Sequence, residues 1–226
     1  MRLPMKTVGT GVLVRSSRYT IGRLRASARA KRLIGPMKAA HDRLKAAQGA
    51  LNAADDGVID AQADFDQVRF QAVDALETLS LEATVVVKRD FQDPLYRSLF
   101  PKGLTGQKKL TGEALREDLP RVVAALKALP AGHALGKSVK AIGEIEKAWE
   151  GPAAVLEEAK VKRATAEAGI KAAREGWFDA YDALAGGLRQ EFPREKALVD
   201  TFFPVVRNSM RKDSTPSEAA GHATKP

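Results

Sequence analysis

The sequence contains no cysteine among its 226 residues. That absence excludes disulfide frameworks, cysteine-ligated metals and thiol nucleophiles, and it favours the cytoplasm as the protein's location. Aromatic residues make up only 6% of the chain, so we predict a narrow core built mostly from small side chains. No apolar run approaches the roughly 18 residues that cross a membrane, so we predict no transmembrane segment.

Acidic residues are missing from the first 38 positions, although this stretch contains ten lysines and arginines. The rest of the chain carries 27 basic and 28 acidic side chains, so the N-terminal arm accounts for the whole excess positive charge. We predict that this arm contacts nucleic acid or another anionic partner. The predicted binding residues are Arg15, Arg18, Arg23, Arg25, Arg29, Lys31 and Arg32.

What the chain has in abundance is a seven-residue apolar repeat, which runs along residues 36–92. Its large column is Met37, Leu44, Leu51, Val58 and Phe65, and its small column is Ala40, Ala47, Ala54 and Ala61. Apolar residues at both columns of a sustained seven-residue repeat indicate a long helix that packs as in a coiled coil.

A second stripe of the same kind runs along residues 134–191. Its large column is Leu156, Ile170, Trp177 and Leu184, and its small column is Ala159, Ala166, Ala173, Ala180 and Gly187. Each stripe corresponds to about 85 Å of helix at 1.5 Å per residue. Two stripes of matched length predict an all-α fold, an elongated antiparallel coiled-coil hairpin with short accessory helices that form a small bundle.

Three segments follow from these patterns. Residues 1–35 form the basic N-terminal arm, with a helix predicted over 16–34 that is capped by Ser16 or Ser17. Residues 36–203 form the hairpin or bundle, with short helices near 95–100, near 113–129 and after Phe192-Pro193. Residues 204–226 are a predicted disordered tail. The Val85-Val86-Val87 run is predicted to face the core, and Asp93-Pro94 is predicted to end the first long helix.

Catalytic patterns are weak. Residues 131–138 (AGHALGKS) fit a relaxed phosphate loop, with Lys137 on the outer phosphates and Ser138 on magnesium. That loop needs a preceding strand, whereas the residues before it have a helical pattern. The histidines lack metal-binding spacing, and the aspartates of residues 55–66 fit a solvated helix face better than a calcium loop. We therefore predict no enzyme, no metal and no cofactor, and a nucleotide-binding enzyme is the third choice.

The function predicted first is a non-catalytic scaffold that acts through coiled-coil surfaces, by self-association or by binding a protein partner. The alternative is a platform whose basic arm binds nucleic acid without sequence preference, because Tyr19 is the arm's only aromatic residue for base stacking. Two further interpretations of the arm stay open. One is an organelle-targeting peptide, and the other is an arm that docks on the acidic body of its own chain or a neighbour.

Overall fold

The computed structural model describes residues 8–204, and every regular element within them is a helix. The prediction for the tail beyond Pro204 lies outside the described residues. The helices are α1 (Thr10–Ala26), a 3₁₀ turn (Ala30–Leu33), α2 (Ile34–Val86), α3 (Pro94–Leu99), α4 (Gly103–Lys108), α5 (Gly112–Lys127), α6 (Gly136–Ala148), α7 (Glu150–Glu191) and α8 (Lys196–Asp200). The predicted all-α helical hairpin with short accessory helices is confirmed.

The chain divides into two compact units, and both long helices contribute residues to each of them. Of the described residues, the terminal unit comprises 8–45 and 174–204, and the central unit comprises 46–173. In the central unit, Arg163 of α7 binds Asp55 of α2 at 2.6 Å, whereas Trp149, just before α7, packs on Phe65. Rising residue numbers on α2 therefore meet falling numbers on α7, as in an antiparallel pair.

Helix α2 ends earlier than Asp93-Pro94. Its last residue is Val86, and Lys88 and Arg89 then adopt left-handed conformations with φ of 49° and 67°. A left-handed residue ends a helix because the next amides turn back to the last carbonyls, and here Arg89 N–H donates to the Thr84 carbonyl at 2.9 Å. Asp93 starts the next helix instead, since its carboxylate accepts a hydrogen bond from the Leu95 amide.

The core of the central unit lies where α2 meets the accessory helices. Phe65 of α2 and Trp149 are both buried, with ring centroids 5.6 Å apart. Helix α5 turns its apolar side to this core, and Pro120 does not interrupt it. Gly112 begins α5 so close to Phe65 that an added Cβ would overlap the ring. The buried α5 residues are Leu115, Leu119, Val122, Val123 and Leu126.

A polar cluster joins the short helices to α5. Gln107 is buried and donates to the Leu99 carbonyl at 3.1 Å and to the Asp118 carboxylate at 2.7 Å. Burial opposes ionisation of Asp118, but hydrogen bonds from Arg121 and Gln107 hold its pKa below the usual range. The cluster thereby satisfies a carbonyl and a carboxylate that packing removes from water.

The heptad stripes are fully buried at some positions of the central unit and half-buried at others. Phe65 and Leu156 are buried, whereas Leu51, Val58 and Ala166 are half-buried. Two helices alone cover only one side of each other, so complete burial needs the accessory helices as well. The half-covered stretch forms an open cleft of about 610 Å³, lined by small and aliphatic residues of α2 and α7.

The terminal unit is built on an aromatic cluster from α7 and the residues after it. Trp177 and Tyr181 stack with centroids 4.6 Å apart, and Tyr181 meets Phe203 edge-on at 4.9 Å. Burial raises the pKa of the Tyr181 phenol well above its usual value. Helix α1 belongs to the same unit and begins at Thr10, so the helix predicted over 16–34 was wrong in both boundaries.

Candidate functional site

The arm residues that the sequence singled out lie on α1 and on the 3₁₀ turn after it. One face of α1 is buried, with Leu13 and Leu24 fully enclosed, so residues 10–26 are part of the packed unit. Ser17 also belongs to this buried face, and its hydroxyl lies 2.7 Å from Nδ1 of His41. The described side chains of the arm therefore form two faces. The buried face consists of apolar and hydroxyl residues, and the exposed face is basic.

Three of the seven predicted binding residues contact the C-terminal part of their own unit. The Arg29 guanidinium lies 4.3 Å from the Phe192 ring centroid and donates to Glu195 at 3.3 Å. Arg32 is ion-paired with Glu191, and Arg23 donates to the Thr201 hydroxyl at 3.0 Å. Part of the arm's basic charge is therefore already bound to groups of the same chain.

The other four predicted residues point to solvent. Arg15, Arg18, Arg25 and Lys31 are exposed, and their side chains make no hydrogen bond or ion pair within residues 8–204. Positions 15, 18 and 25 share one side of a helix because they lie three and seven residues apart. The fold therefore gathers three arginines on one open face of α1, with Lys31 on the turn that follows.

A second surface is apolar and lies on α2 within the central unit. Four large side chains remain mostly outside the core, with exposed fractions of 66% for Ile59, 65% for Phe70, 71% for Leu81 and 78% for Val85. We call these four residues the α2 stripe. The exposure of Val85 shows that the prediction of a core-facing valine run was wrong for this residue, and Val87, just past the end of α2, lies in the core instead.

The α2 stripe is aligned by its spacing. Ile59, Phe70 and Leu81 are eleven residues apart, which is close to three full helical turns, and Val85 follows one turn later. The buried residues of the same stretch, such as Phe65, Leu76 and Leu79, lie on the opposite side of the helix. Sequence reasoning missed the stripe because the seven-residue repeat dominates the pattern, although the eleven-residue spacing was a visible signal.

The two ends of the α2 stripe carry opposite charges. Asp56 and Asp60 are exposed beside Ile59, and Lys88 and Arg89 are exposed just beyond Val85. None of these four side chains forms an ion pair within the described part of the chain. Two further acids lie between Phe70 and Leu81, namely the exposed Asp74 and the half-buried Glu77, which is ion-paired with Lys108. The stripe thus has an acidic end and a basic end, and acidic side chains also lie between its large apolar residues.

The residues of the relaxed phosphate-loop pattern are held by a carboxylate. Lys137 binds Glu82 of α2 at 2.8 Å, and the Ser138 hydroxyl donates to the same carboxylate at 2.8 Å. These two hydrogen bonds hold the pKa of Glu82 below its usual range. The element before the pattern is α5, not a strand, so the supporting geometry of a phosphate loop is absent from residues 112–148.

Within residues 8–204, no group of three or more histidines, aspartates and glutamates is arranged to hold a metal ion. The aspartates of residues 55–66 are exposed or half-exposed, and Asp55 is bound by Arg163. No helix in the same span is long and apolar enough to cross a membrane.

Comparison with known proteins adds no relative. No protein-family model, no curated protein and no solved structure matches this chain. The basic face of α1 and the α2 stripe are therefore the two surfaces from which a function is inferred.

Proposed function

We propose that this protein is a non-catalytic helical scaffold that binds another protein chain through α2. The observation that carries this proposal is the α2 stripe, in which four large apolar side chains are aligned and at least 65% exposed. Single exposed apolar residues are common on soluble proteins, but several large ones aligned along one side of a helix are the pattern of a helix that binds a partner. Helices that pair in this way recognise each other through apolar side chains that recur about one helical turn apart.

The engagement of Lys137 and Ser138 by Glu82 supports a structural role for the first turn of α6. The bonds join this turn to α2, and a phosphate would have to compete with a carboxylate already in place. The scaffold proposal therefore assigns these residues to holding α6 beside α2.

Site-specific photo-crosslinking in the cell that makes the protein tests the scaffold proposal. A photo-reactive phenylalanine analogue replaces Phe70 in one variant and Leu81 in another. A third variant carries it at Val155, an exposed apolar position on α7 that serves as the matched control. We expect covalent adducts of defined mass from positions 70 and 81 and much weaker ones from 155. The proposal is wrong if the stripe positions give no adduct or give no more than the control.

A second candidate function is sequence-independent binding of nucleic acid by the exposed face of α1. The observation that favours it is a set of four exposed basic side chains that have no hydrogen-bond or ion-pair partner within residues 8–204, namely Arg15, Arg18, Arg25 and Lys31. Basic side chains that neutralise phosphates release counterions, so the affinity should fall steeply with salt. Each neutralised phosphate contributes roughly −0.9 to the slope of log affinity against log salt. Four contacts therefore give a slope no steeper than about −4.

Fluorescence anisotropy with a random-sequence duplex tests this candidate. Substitutions are preferable to removal of the arm, because removal would also delete the buried Leu13 and Leu24. The test variant combines Arg15→Gln, Arg18→Gln and Arg25→Gln. We expect weaker binding and a salt slope that is shallower by about 3. The control removes the same charge from exposed central-unit lysines by Lys127→Gln, Lys140→Gln and Lys147→Gln. Equal weakening by both triple variants, or no binding by the unchanged protein at low salt, would rule the candidate out.

A further inference from the structure

We propose that the α2 stripe binds a second copy of this chain in antiparallel orientation, with the Ile59 end of one stripe against the Val85 end of the other. This inference rests on the proposed scaffold function and names its partner. It is carried by three properties of the central unit, namely the position of the stripe, the charges at its ends and the sizes of its side chains.

The position of the stripe leaves room for a second helix. The stripe lies opposite the buried face of α2. The side chains that pack inside the central unit are therefore different from those that would contact a partner. From Ile59 to Val85 the stripe is about 39 Å long at 1.5 Å per residue. A second copy brings a stripe of identical length, which a two-fold axis places in register from end to end.

The charges at the ends of the stripe select the antiparallel orientation. A parallel pair would place Asp56 and Asp60 of one copy beside the same aspartates of the other, and Lys88 and Arg89 beside their equivalents. An antiparallel pair instead places the acidic end of each copy beside the basic end of its partner. Like charges disfavour a pairing and opposite charges favour it, as in helical coiled coils. All four side chains are exposed and available for these contacts.

The sizes of the side chains fit the same orientation. When Ile59 of one copy lies opposite Val85 of the other, Ala63 lies opposite Leu81, so a small residue faces a large one. The two-fold axis then passes beside position 72, between Phe70 and Asp74. Asp74 is an exposed carboxylate on the same side of α2 as the stripe, and a polar residue in an apolar seam reduces affinity while it specifies the register. We therefore expect a reversible dimer whose affinity increases when Asp74 is replaced by leucine.

Sedimentation equilibrium of the purified full-length chain tests the dimer. We expect the average mass to rise with concentration from 24.4 kDa toward twice that value. Phe70→Glu and Leu81→Glu should each weaken the dimer at least tenfold, and Asp74→Leu should strengthen it at least tenfold. Val155→Glu, which adds the same charge at an exposed valine of α7, should leave the mass unchanged. Circular dichroism verifies that each variant keeps its helices, and Asp74→Leu remains informative if a glutamate variant unfolds.

Cysteine cross-linking tests the orientation, and the absence of native cysteine makes every cross-link assignable. The variants Ile59→Cys and Val85→Cys are treated with a short bismaleimide, separately and as an equal mixture. An antiparallel pair should cross-link only in the mixture, because positions 59 and 85 of one copy are about 39 Å apart. Cross-linking of each variant with itself indicates a parallel pair and overturns the inference.

The inference and the proposed function can fail separately. A monomer at every concentration, with in-cell adducts from positions 70 and 81 to a different protein, overturns the second copy as partner and leaves the scaffold proposal standing. A monomer with no adduct from the stripe overturns both. Loss of the dimer in Val155→Glu but not in Phe70→Glu moves the interface to α7 and also overturns the inference.

Discussion

Gly112 shows how one residue without a side chain permits the packing of two aromatic rings. It starts α5 against the Phe65 ring, which in turn packs on Trp149. An alanine Cβ at this position would overlap the ring and force it off its contact. We expect Gly112→Ala to lower the free energy of unfolding by about 1–3 kcal/mol, which is typical of overpacking. Urea denaturation measures the change.

The matched control for Gly112 is Gly143, a glycine inside α6 where an added Cβ meets nothing within 4 Å. Gly143→Ala should raise the free energy of unfolding by up to about 1 kcal/mol, because alanine restricts the unfolded chain and favours helix. If both substitutions shift stability in the same direction, the close contact between Gly112 and Phe65 is not what constrains α5.

Tyr181 should make stability depend on pH in the alkaline range. Its raised pKa means that the folded protein keeps the phenol protonated, whereas the unfolded chain releases the proton near pH 10. The unfolded state therefore binds fewer protons above pH 10, and stability falls there by about 1.4 kcal/mol per pH unit for this group. Below pH 10 both states are protonated and the group contributes no pH dependence.

Urea denaturation at pH 8, 10 and 11 isolates this effect when Tyr181→Phe is compared with the unchanged protein. Up to pH 10, the two free energies of unfolding should differ by a constant amount. Above pH 10, the free energy of unfolding of Tyr181→Phe should rise relative to that of the unchanged protein. Tyr19→Phe, at a tyrosine that is 46% exposed, controls for the loss of one phenol. Parallel pH profiles for wild type and Tyr181→Phe would contradict the assigned burial effect.

At the scale of elements, α1 carries both basic and core side chains, and its boundaries had to be found from the structure. Its N-cap, Gly9, makes no side-chain capping bond, so the sequence has no local start signal at Thr10. The helix instead covers the stretch that tertiary packing buries, with Leu13 near its start and Leu24 near its end. Tertiary packing can override local signals of this kind.

The contribution of α1 to stability follows from that burial. Leu24 is fully enclosed, so Leu24→Ala should lower the free energy of unfolding by about 2–5 kcal/mol. Arg25→Ala, at the exposed neighbouring position, should change it by less than about 0.5 kcal/mol. Urea denaturation followed by circular dichroism compares them. Equal small effects would mean that α1 is an attached arm and not a part of the packed unit.

Between Ile59 and Val85, helix α2 carries large apolar side chains on two opposite sides, and only the heptad side was evident from the sequence. The heptad positions predicted the buried face, which includes Phe65. The eleven-residue stripe has the same residue types, so periodicity alone cannot tell which face meets the core. The short helices decide that question, because they cover the Phe65 side and not the Phe70 side.

At the scale of the molecule, the two units differ in charge. The described residues of the terminal unit contain fourteen basic and seven acidic side chains, and the central unit contains seventeen basic and nineteen acidic ones. The basic surface and the α2 stripe therefore belong to different units. An anionic ligand and a second protein chain are accordingly expected to act on separate parts of the chain.

Thermal stability should depend on protein concentration if the second-copy inference is correct. A partner that binds only the folded state stabilises it by mass action. The melting temperature should then rise by a few degrees for a tenfold increase in concentration, at roughly 2–8 °C per kcal/mol. Phe70→Glu should remove the dependence, and Val155→Glu should retain it. Differential scanning calorimetry at three concentrations measures the shift, and an unchanged melting temperature would contradict dimerisation.

From the pattern of residues alone it follows that the chain is helical, that two long helices run antiparallel and that the excess positive charge lies before residue 39. These are properties of periodicity, propensity and composition, which act along the chain. The tertiary structure decided which arginines of the arm are engaged, which face of α2 is covered and where α1 begins. Those outcomes depend on contacts such as Arg29 with Phe192 and Phe65 with Trp149, which join residues distant in sequence. Burial is a property of the neighbours that a residue acquires on folding, and local pattern does not specify them.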